Sequence, residues 1–219
     1  MPPEPLPLDE PRRDLPPAAE ALVADAYERI AASRRADAAD TSPSYVPAPS
    51  FVPADYRVVY AGLAEIHARR LAPNQRMCEW GSGLGVVASL AAQLGFAACG
   101  IEAQPGLVDQ ARDLASHHGL QIDFATGSYV PASAEHLTDF GDELATLTVG
   151  IAPGYDELDH APEDFGLIYA FPWPGEEPFM ERLFESVAGD GALLLTYRST
   201  GDVILQRFTS RSAINEPRP

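Results

Sequence analysis

From Arg76 to Gly95 the sequence reads RMCEWGSGLGVVASLAAQLG. A short apolar run meets three glycines at alternate positions, Gly81, Gly83 and Gly85, and passes into an apolar stretch of helical length that stops at a fourth glycine. Few conformations satisfy all three parts. They are a buried strand, a tight turn whose residues are free to take positive φ, and a helix ended by the glycine beyond it. The alternation continues downstream. Residues 97–102 predict a strand, and 105–118 a helix with proline at its start, Leu107, Val108, Ala111 and Leu114 on its buried side, and Gly119 past its end. Further strands are expected at 121–125, 165–169 and 192–197, with a helix over 177–187 that spaces Phe179, Leu183 and Val187 at helical intervals. Residues 130–163 are irregular by pattern, with a helix near 133–147, and DVILQRF (202–208) reads as a sixth strand.

Strands alternating with helices of this length imply βαβ units and a mostly parallel sheet covered on both faces. Right-handed crossovers make it doubly wound. Such sheets bind ligands beyond the carboxyl ends of their strands, where the strand order reverses. That rule places four loops on one rim: 79–85, 102–104, 127–129 and 170–174.

The chain of 219 residues suffices for one domain with tails. Residues 1–17, rich in proline and charge, predict a disordered tail. Residues 18–75 predict a helical extension. It comprises an amphipathic helix over 18–36 with Leu22, Ala26 and Ile30 on one stripe, an aromatic, proline-rich segment, and a helix near 55–71. Tyr45 and Phe51 in that segment are candidates to form a lid. The α/β domain then occupies 76–208, and 209–219 is a tail. Net charge is −17, and all 15 basic residues are arginine. A surface this acidic repels phosphate backbones, which argues against nucleic acid and favours a small molecule or a basic protein or peptide as partner. No apolar run reaches the roughly 18 residues that span a bilayer, and the N-terminus lacks the apolar segment of a secretory signal, so a cytoplasmic location is expected. Cys78 and Cys99 fall in apolar strands and read as buried free thiols; without neighbouring histidines they make no zinc site.

A glycine turn between strand and helix invites a phosphate, and the dinucleotide fingerprint is G-x-G-x-x-G or A, with an acid about 20 residues on for a ribose hydroxyl. Gly81 and Gly83 fit the first two positions and Glu102 fits the acid, but Val86 stands at the third glycine position. Glu79 discriminates further. A carboxylate beside the helix N-terminus repels a pyrophosphate by an amount on the order of 1–4 kcal/mol, depending on the effective dielectric. A cationic, phosphate-free ligand reverses that sign. S-adenosylmethionine has this character: the loop's N–H groups are expected to take its carboxylate and Glu79 its ammonium, while Glu102 accepts the ribose hydroxyls.

At these residues the sequence resembles the class I S-adenosylmethionine-dependent methyltransferases. Their acid-x-Gly-x-Gly-x-Gly pattern is matched by EWGSGLG, Glu79 to Gly85, and their acid closing the second strand by Glu102 within GIEAQPGLVDQAR. The loop after the third strand, which contacts adenine in the family, corresponds to TGSY, Thr126 to Tyr129. The resemblance covers roughly residues 54–208. It implies a Rossmann-like methyltransferase sheet and S-adenosylmethionine as cofactor, bound by Glu79, Gly81, Ser82, Gly83, Gly85, Glu102, Ala103, Gly127, Ser128, Tyr129 and Ala170. The family has no universal catalytic residue. On the acceptor side, many amino-group methyltransferases carry Asn/Asp-Pro-Pro-Tyr where this chain has Ala170-Phe171-Pro172-Trp173. Phe171, Pro172, Trp173 and Tyr129 are the acceptor-site candidates, with Trp173 able to offer a π face to a cation. Glu176 and Glu177 either attract such a cation or charge the first turn of the next helix. Only about 22 residues follow ALLLTY, so the sheet is expected to be abbreviated at its C-terminal end, without the usual helix after the fifth strand. Two functions follow: a methyltransferase acting on a small molecule or a basic protein side chain, or a non-catalytic module that holds S-adenosylmethionine or S-adenosylhomocysteine. A dinucleotide oxidoreductase is a weaker third.

Overall fold

The computed structural model describes residues 4–8, 14–39, 52–138 and 151–209. Their core is one seven-stranded sheet in the order β1-β7-β6-β5-β2-β3-β4, with β1 at Glu4–Leu6 and β7 at Val203–Arg207. The parallel strands are β2 (Arg76–Trp80), β3 (Ala97–Glu102), β4 (Asp123–Thr126), β5 (Leu167–Ala170) and β6 (Leu193–Tyr197). The chain winds from β2 outward to β4 and then returns past β2 to β5 and β6, so the order reverses between β2 and β5. This is the doubly wound, Rossmann-like arrangement expected from the alternation.

Side-chain alternation along these strands assigns the faces. Met77, Leu167, Tyr169, Leu193 and Leu195 pack with α1 (Pro17–Ala39), α2 (Tyr56–Ala68) and α3 (Val86–Leu94). Phe124 packs against α4 (Pro105–His117) through Val108, Ala111 and Ala115. Cys78, Cys99, Ile168 and Leu194 face the other way, against α6 (Glu177–Val187) and the single turn α5 (Tyr155–Leu158). Both cysteines are buried and free. Leu22, Ala26 and Ile30 form the buried stripe of α1, as their spacing predicts. The helix α2 begins at Asp55, whose side chain accepts the N–H groups of Arg57 and Val58 at 3.0 and 3.5 Å. Its Gly62 faces Val203 and Leu195 of the sheet, which a Cβ there would meet at ordinary contact distances of 3.4 and 3.6 Å.

The C-terminal part is as short as expected. No helix follows β6; a short turn, 198–202, leads straight into the antiparallel strand β7 (Val203–Arg207). The sheet nevertheless has seven strands. Glu4–Leu6, inside the segment expected to be a disordered tail, forms β1 and pairs antiparallel with β7. Pro5 is tolerated because β1 is an edge strand and leaves one side of its backbone unpaired. The helix expected near 133–147 is a 3-10 turn at Ala132–Thr138 as far as the described residues run. Tyr45, Phe51 and residues 210–219 lie outside the described residues. No described helix is long and apolar enough to cross a membrane.

Candidate active site

A cavity of about 970 Å³ opens at the carboxyl ends of β2 to β6, on the rim that the strand reversal predicts. Glu79, Gly81, Ser82 and Gly83 line it, with Glu102, Ala103, Gly127, Ser128 and Tyr129. Phe171, Pro172 and Trp173 line it as well. Gly85 and Ala170, also expected at the cofactor, do not line it. Ala170 is wholly buried on the opposite sheet face with Trp80 and Ile168. Gly85 sits behind the loop at φ +65°, where a Cβ would lie 2.3 Å from the Phe124 ring. We therefore expect Gly85→Ala to lower stability by about 2–4 kcal/mol, from left-handed strain plus overpacking. Urea denaturation measures this, and an unchanged midpoint would mean that Phe124 turns aside at no cost.

The glycine turn is held by its own amides. The N–H groups of Gly81 and Ser82 both donate to the carbonyl of Ile101, at 2.9 and 3.0 Å, and that of Gly85 donates to Ser82 at 2.7 Å. The Gly83 N–H donates to Glu102 Oε2 at 2.9 Å. Glu79 turns from the end of β2 toward α3, where its Oε2 accepts the Ala88 N–H at 2.8 Å. The positive end of α3 is thus occupied by the chain's own carboxylate. Burial raises the Glu79 carboxyl to about 8; repulsion from Glu102 adds to this, and the N–H groups of Ala88 and Val87 oppose it. Glu102 also accepts the Gln104 N–H, through Oε1 at 3.0 Å. Each of its oxygens has one backbone donor and keeps a lone pair for a ligand.

The loop after β4 is equally constrained. Gly127 donates to the Glu102 carbonyl at 3.0 Å, and a Cβ on it would lie 2.6 Å from the carbonyl oxygen of Ala152. Ser128 Oγ accepts the Val130 N–H at 3.0 Å, and the Tyr155 hydroxyl donates to the Tyr129 carbonyl at 3.0 Å. The Tyr129 ring lies flat on Trp80, with centroids 5.5 Å apart and planes at 10°.

Two features of the site were not anticipated from the sequence. Tyr56, Tyr169 and Tyr197 all line the cavity. The hydroxyls of Tyr56 and Tyr169, and that of Ser82, are buried without a hydrogen-bond partner among the described residues. Buried polar atoms of this kind cost about 1–3 kcal/mol each unless water or a ligand satisfies them. Of the two acids singled out from the sequence, Glu176 reaches the cavity. It precedes α6, donates its N–H to the Trp173 carbonyl at 2.9 Å and accepts the Trp173 N–H at 3.2 Å, while lining the cavity. Glu177 stays at the helix start, where it accepts the Gly175 N–H at 2.7 Å. The lining therefore carries three carboxylates, Glu79, Glu102 and Glu176, and no arginine or histidine among the described residues. No group of side chains suited to a metal ion occurs among the described residues.

The sequence matches no protein-family model and no curated protein. Its fold is similar to several solved methyltransferase structures. An RNA methyltransferase from Salinibacter ruber in complex with S-adenosyl-L-homocysteine aligns with 80% of this chain and 97% of its own, at 16% identity and TM-score 0.45. An O-methyltransferase from Bacillus cereus, also in complex with S-adenosylhomocysteine, aligns with 77% of this chain and 65% of its own, at 14% and 0.43. A precorrin-6y C5,15-methyltransferase from Geobacter metallireducens aligns with 71% and 68%, at 12% and 0.42. At these identities the likeness is one of fold.

Proposed function

We propose that the chain is an S-adenosylmethionine-dependent methyltransferase acting on a small molecule or a basic protein side chain. One observation carries the reading: the cavity is lined by three carboxyl groups, Glu79 among them raised to about 8 and able to ionise beside a cation, with no cation among its described lining residues, next to a glycine turn whose Gly81, Ser82, Gly83 and Gly85 amides are already bonded. A pyrophosphate would meet repulsion and find few free donors. A cationic nucleoside suits the same walls. Glu102 would take the ribose, the 127–129 loop with Ala103 the adenine, and Glu79 the ammonium. The unpaired hydroxyls of Tyr56, Tyr169 and Ser82 remain available for the carboxylate. When bound, S-adenosylmethionine supplies a methyl group already activated by its sulfonium, so the protein's own task is orientation and the exclusion of water.

Titration calorimetry with S-adenosylmethionine, S-adenosylhomocysteine and NAD tests this. We expect the first two to bind with Kd in the micromolar range and NAD not to bind; tight NAD binding would overturn the reading. Cofactor binding without methylation of any offered acceptor would instead favour a non-catalytic binding module.

A further inference from the structure

We propose that the acceptor is an uncharged, planar aromatic small molecule, seated where β5 and β6 end. This rests on the cofactor reading above. Strand order is the first argument. In that reading the adenosine takes Glu102 and the loop 127–129, which follow β3 and β4, and the amino-acid end takes Glu79 on β2. The order β6-β5-β2-β3-β4 leaves β5 and β6 on the other side of β2. Three strand spacings, about 14 Å, separate β6 from β3. The cavity extends past these strands too: Phe171 and Trp173 follow β5, Tyr197 ends β6, and all three line it. The space they bound is left for a second ligand.

The walls of that space are the second argument. Phe171 and Tyr197 meet edge to face, with centroids 4.9 Å apart and planes at 85°, so each ring holds the other. Trp173 sits in a closed turn. Its N–H donates to the Glu176 carboxylate at 3.2 Å, and its carbonyl accepts the Glu176 N–H at 2.9 Å. Pro172 and Pro174 stand on either side of it and also line the cavity. Trp173 is nevertheless 45% exposed, and Val52, 47% exposed, lines the same cavity. Among the described residues only Tyr27 is another large apolar side chain so exposed, so most such surface faces this one cavity. A flat apolar ligand covers it, and fixed rings meet an aromatic one in the offset or edge-to-face arrangements that ring quadrupoles favour.

Charge is the third argument. The described lining has no cation to pair with an anionic acceptor. A cationic one finds every acid engaged: Glu79 and Glu102 serve the cofactor, and Glu176 holds the Trp173 N–H and has a further partner. Apart from Glu176 and the Trp173 indole, the polar side chains that β5, β6 and the loops after them bring to the cavity are hydroxyls, those of Tyr169, Tyr197 and Ser199. Hydroxyls both donate and accept, which suits a neutral heteroatom on the ring.

The test titrates the S-adenosylhomocysteine-saturated protein at neutral pH with two matched pairs, phenol against cyclohexanol and 2-naphthol against decahydro-2-naphthol, and with 2-naphthoate and N-acetyl-lysine amide. At least one aromatic alcohol is expected to bind tenfold or more tighter than its saturated partner, and tighter than both charged probes. Trp173→Ala should weaken that alcohol about tenfold, and Trp173→Phe should keep most of the affinity; the position is exposed, so neither change should disturb folding. A smaller gap in both pairs, preference for 2-naphthoate or the lysine amide, no binding of any probe, or unchanged affinity in Trp173→Ala overturns the inference while leaving the cofactor reading intact. Failure of S-adenosylhomocysteine itself to bind overturns the cofactor reading.

Discussion

Glu102→Ala is expected to weaken S-adenosylmethionine binding by about a hundredfold, read by calorimetry at fixed pH and salt. The estimate follows from hydrogen bonds to a charged acceptor, worth about 1.5–3 kcal/mol each, and from about 1.4 kcal/mol per tenfold in affinity. Two ribose hydroxyls would exceed that loss if both bonds were ideal; water entering the emptied space offsets part of it. The same carboxylate holds the Gly83 and Gln104 N–H groups. Removing it therefore also loosens the glycine turn, and Glu102→Gln separates the two effects. The amide keeps an oxygen for one backbone donor but turns an NH₂ group toward another. It should retain fold stability close to that of the parent while losing most of the affinity. Unchanged affinity in Glu102→Ala would remove the ribose assignment.

The sheet was largely legible because glycines and prolines punctuate it at the ends of the helices, and because the strand cores are continuous apolar runs. The strand β1 was not. Glu4-Pro5-Leu6 carries no strand signal of its own, and its only structural reason is the free edge of β7, some 200 residues away in the chain. Within the site, the four loops were legible from the rule that ligands sit past the strand ends. The tyrosines were not, since a tyrosine inside an apolar strand reads as core. Their role depends on register: Tyr169 lies directly across from Glu79 on the neighbouring strand and so shares its face. Ala170, one residue on, must point the other way, which is why it does not line the cavity although the loop rule puts it on the same rim. Gly85 lies outside the lining for a different reason: it packs behind the turn, close against Phe124. Glu79 was legible as a cavity residue, since it ends a strand beside the glycine turn. Its partner at the α3 N-terminus, the Ala88 N–H, emerged only from the geometry.

Glu79 also predicts a pH dependence whose sign is fixed. Its carboxyl is raised to about 8 in the ligand-free site, chiefly by burial, against an ordinary value near 4.5. A carboxyl raised on folding favours the neutral form. The stability it contributes is full below about pH 4.5 and is lost as pH climbs through 8, at up to about 1.4 kcal/mol per unit. Replacing it with glutamine should therefore raise the melting temperature of the ligand-free protein at pH 8 and leave it nearly unchanged at pH 5. Ligand binding runs the opposite way. An ammonium beside Glu79 favours the carboxylate, so binding of S-adenosylmethionine must release a proton wherever the free site is protonated. Affinity should rise between pH 6 and 8, by up to about tenfold per unit, since each unit of pKa shift is about 1.4 kcal/mol. Above about pH 8 the ligand's own amino group loses its charge and the gain ends. In Glu79→Gln the rising limb should vanish together with the proton release, which calorimetry in two buffers of different ionisation enthalpy counts directly. A parent protein whose affinity is flat from pH 6 to 8 would show that Glu79 serves only to cap α3, and the ammonium would then belong elsewhere in the cavity.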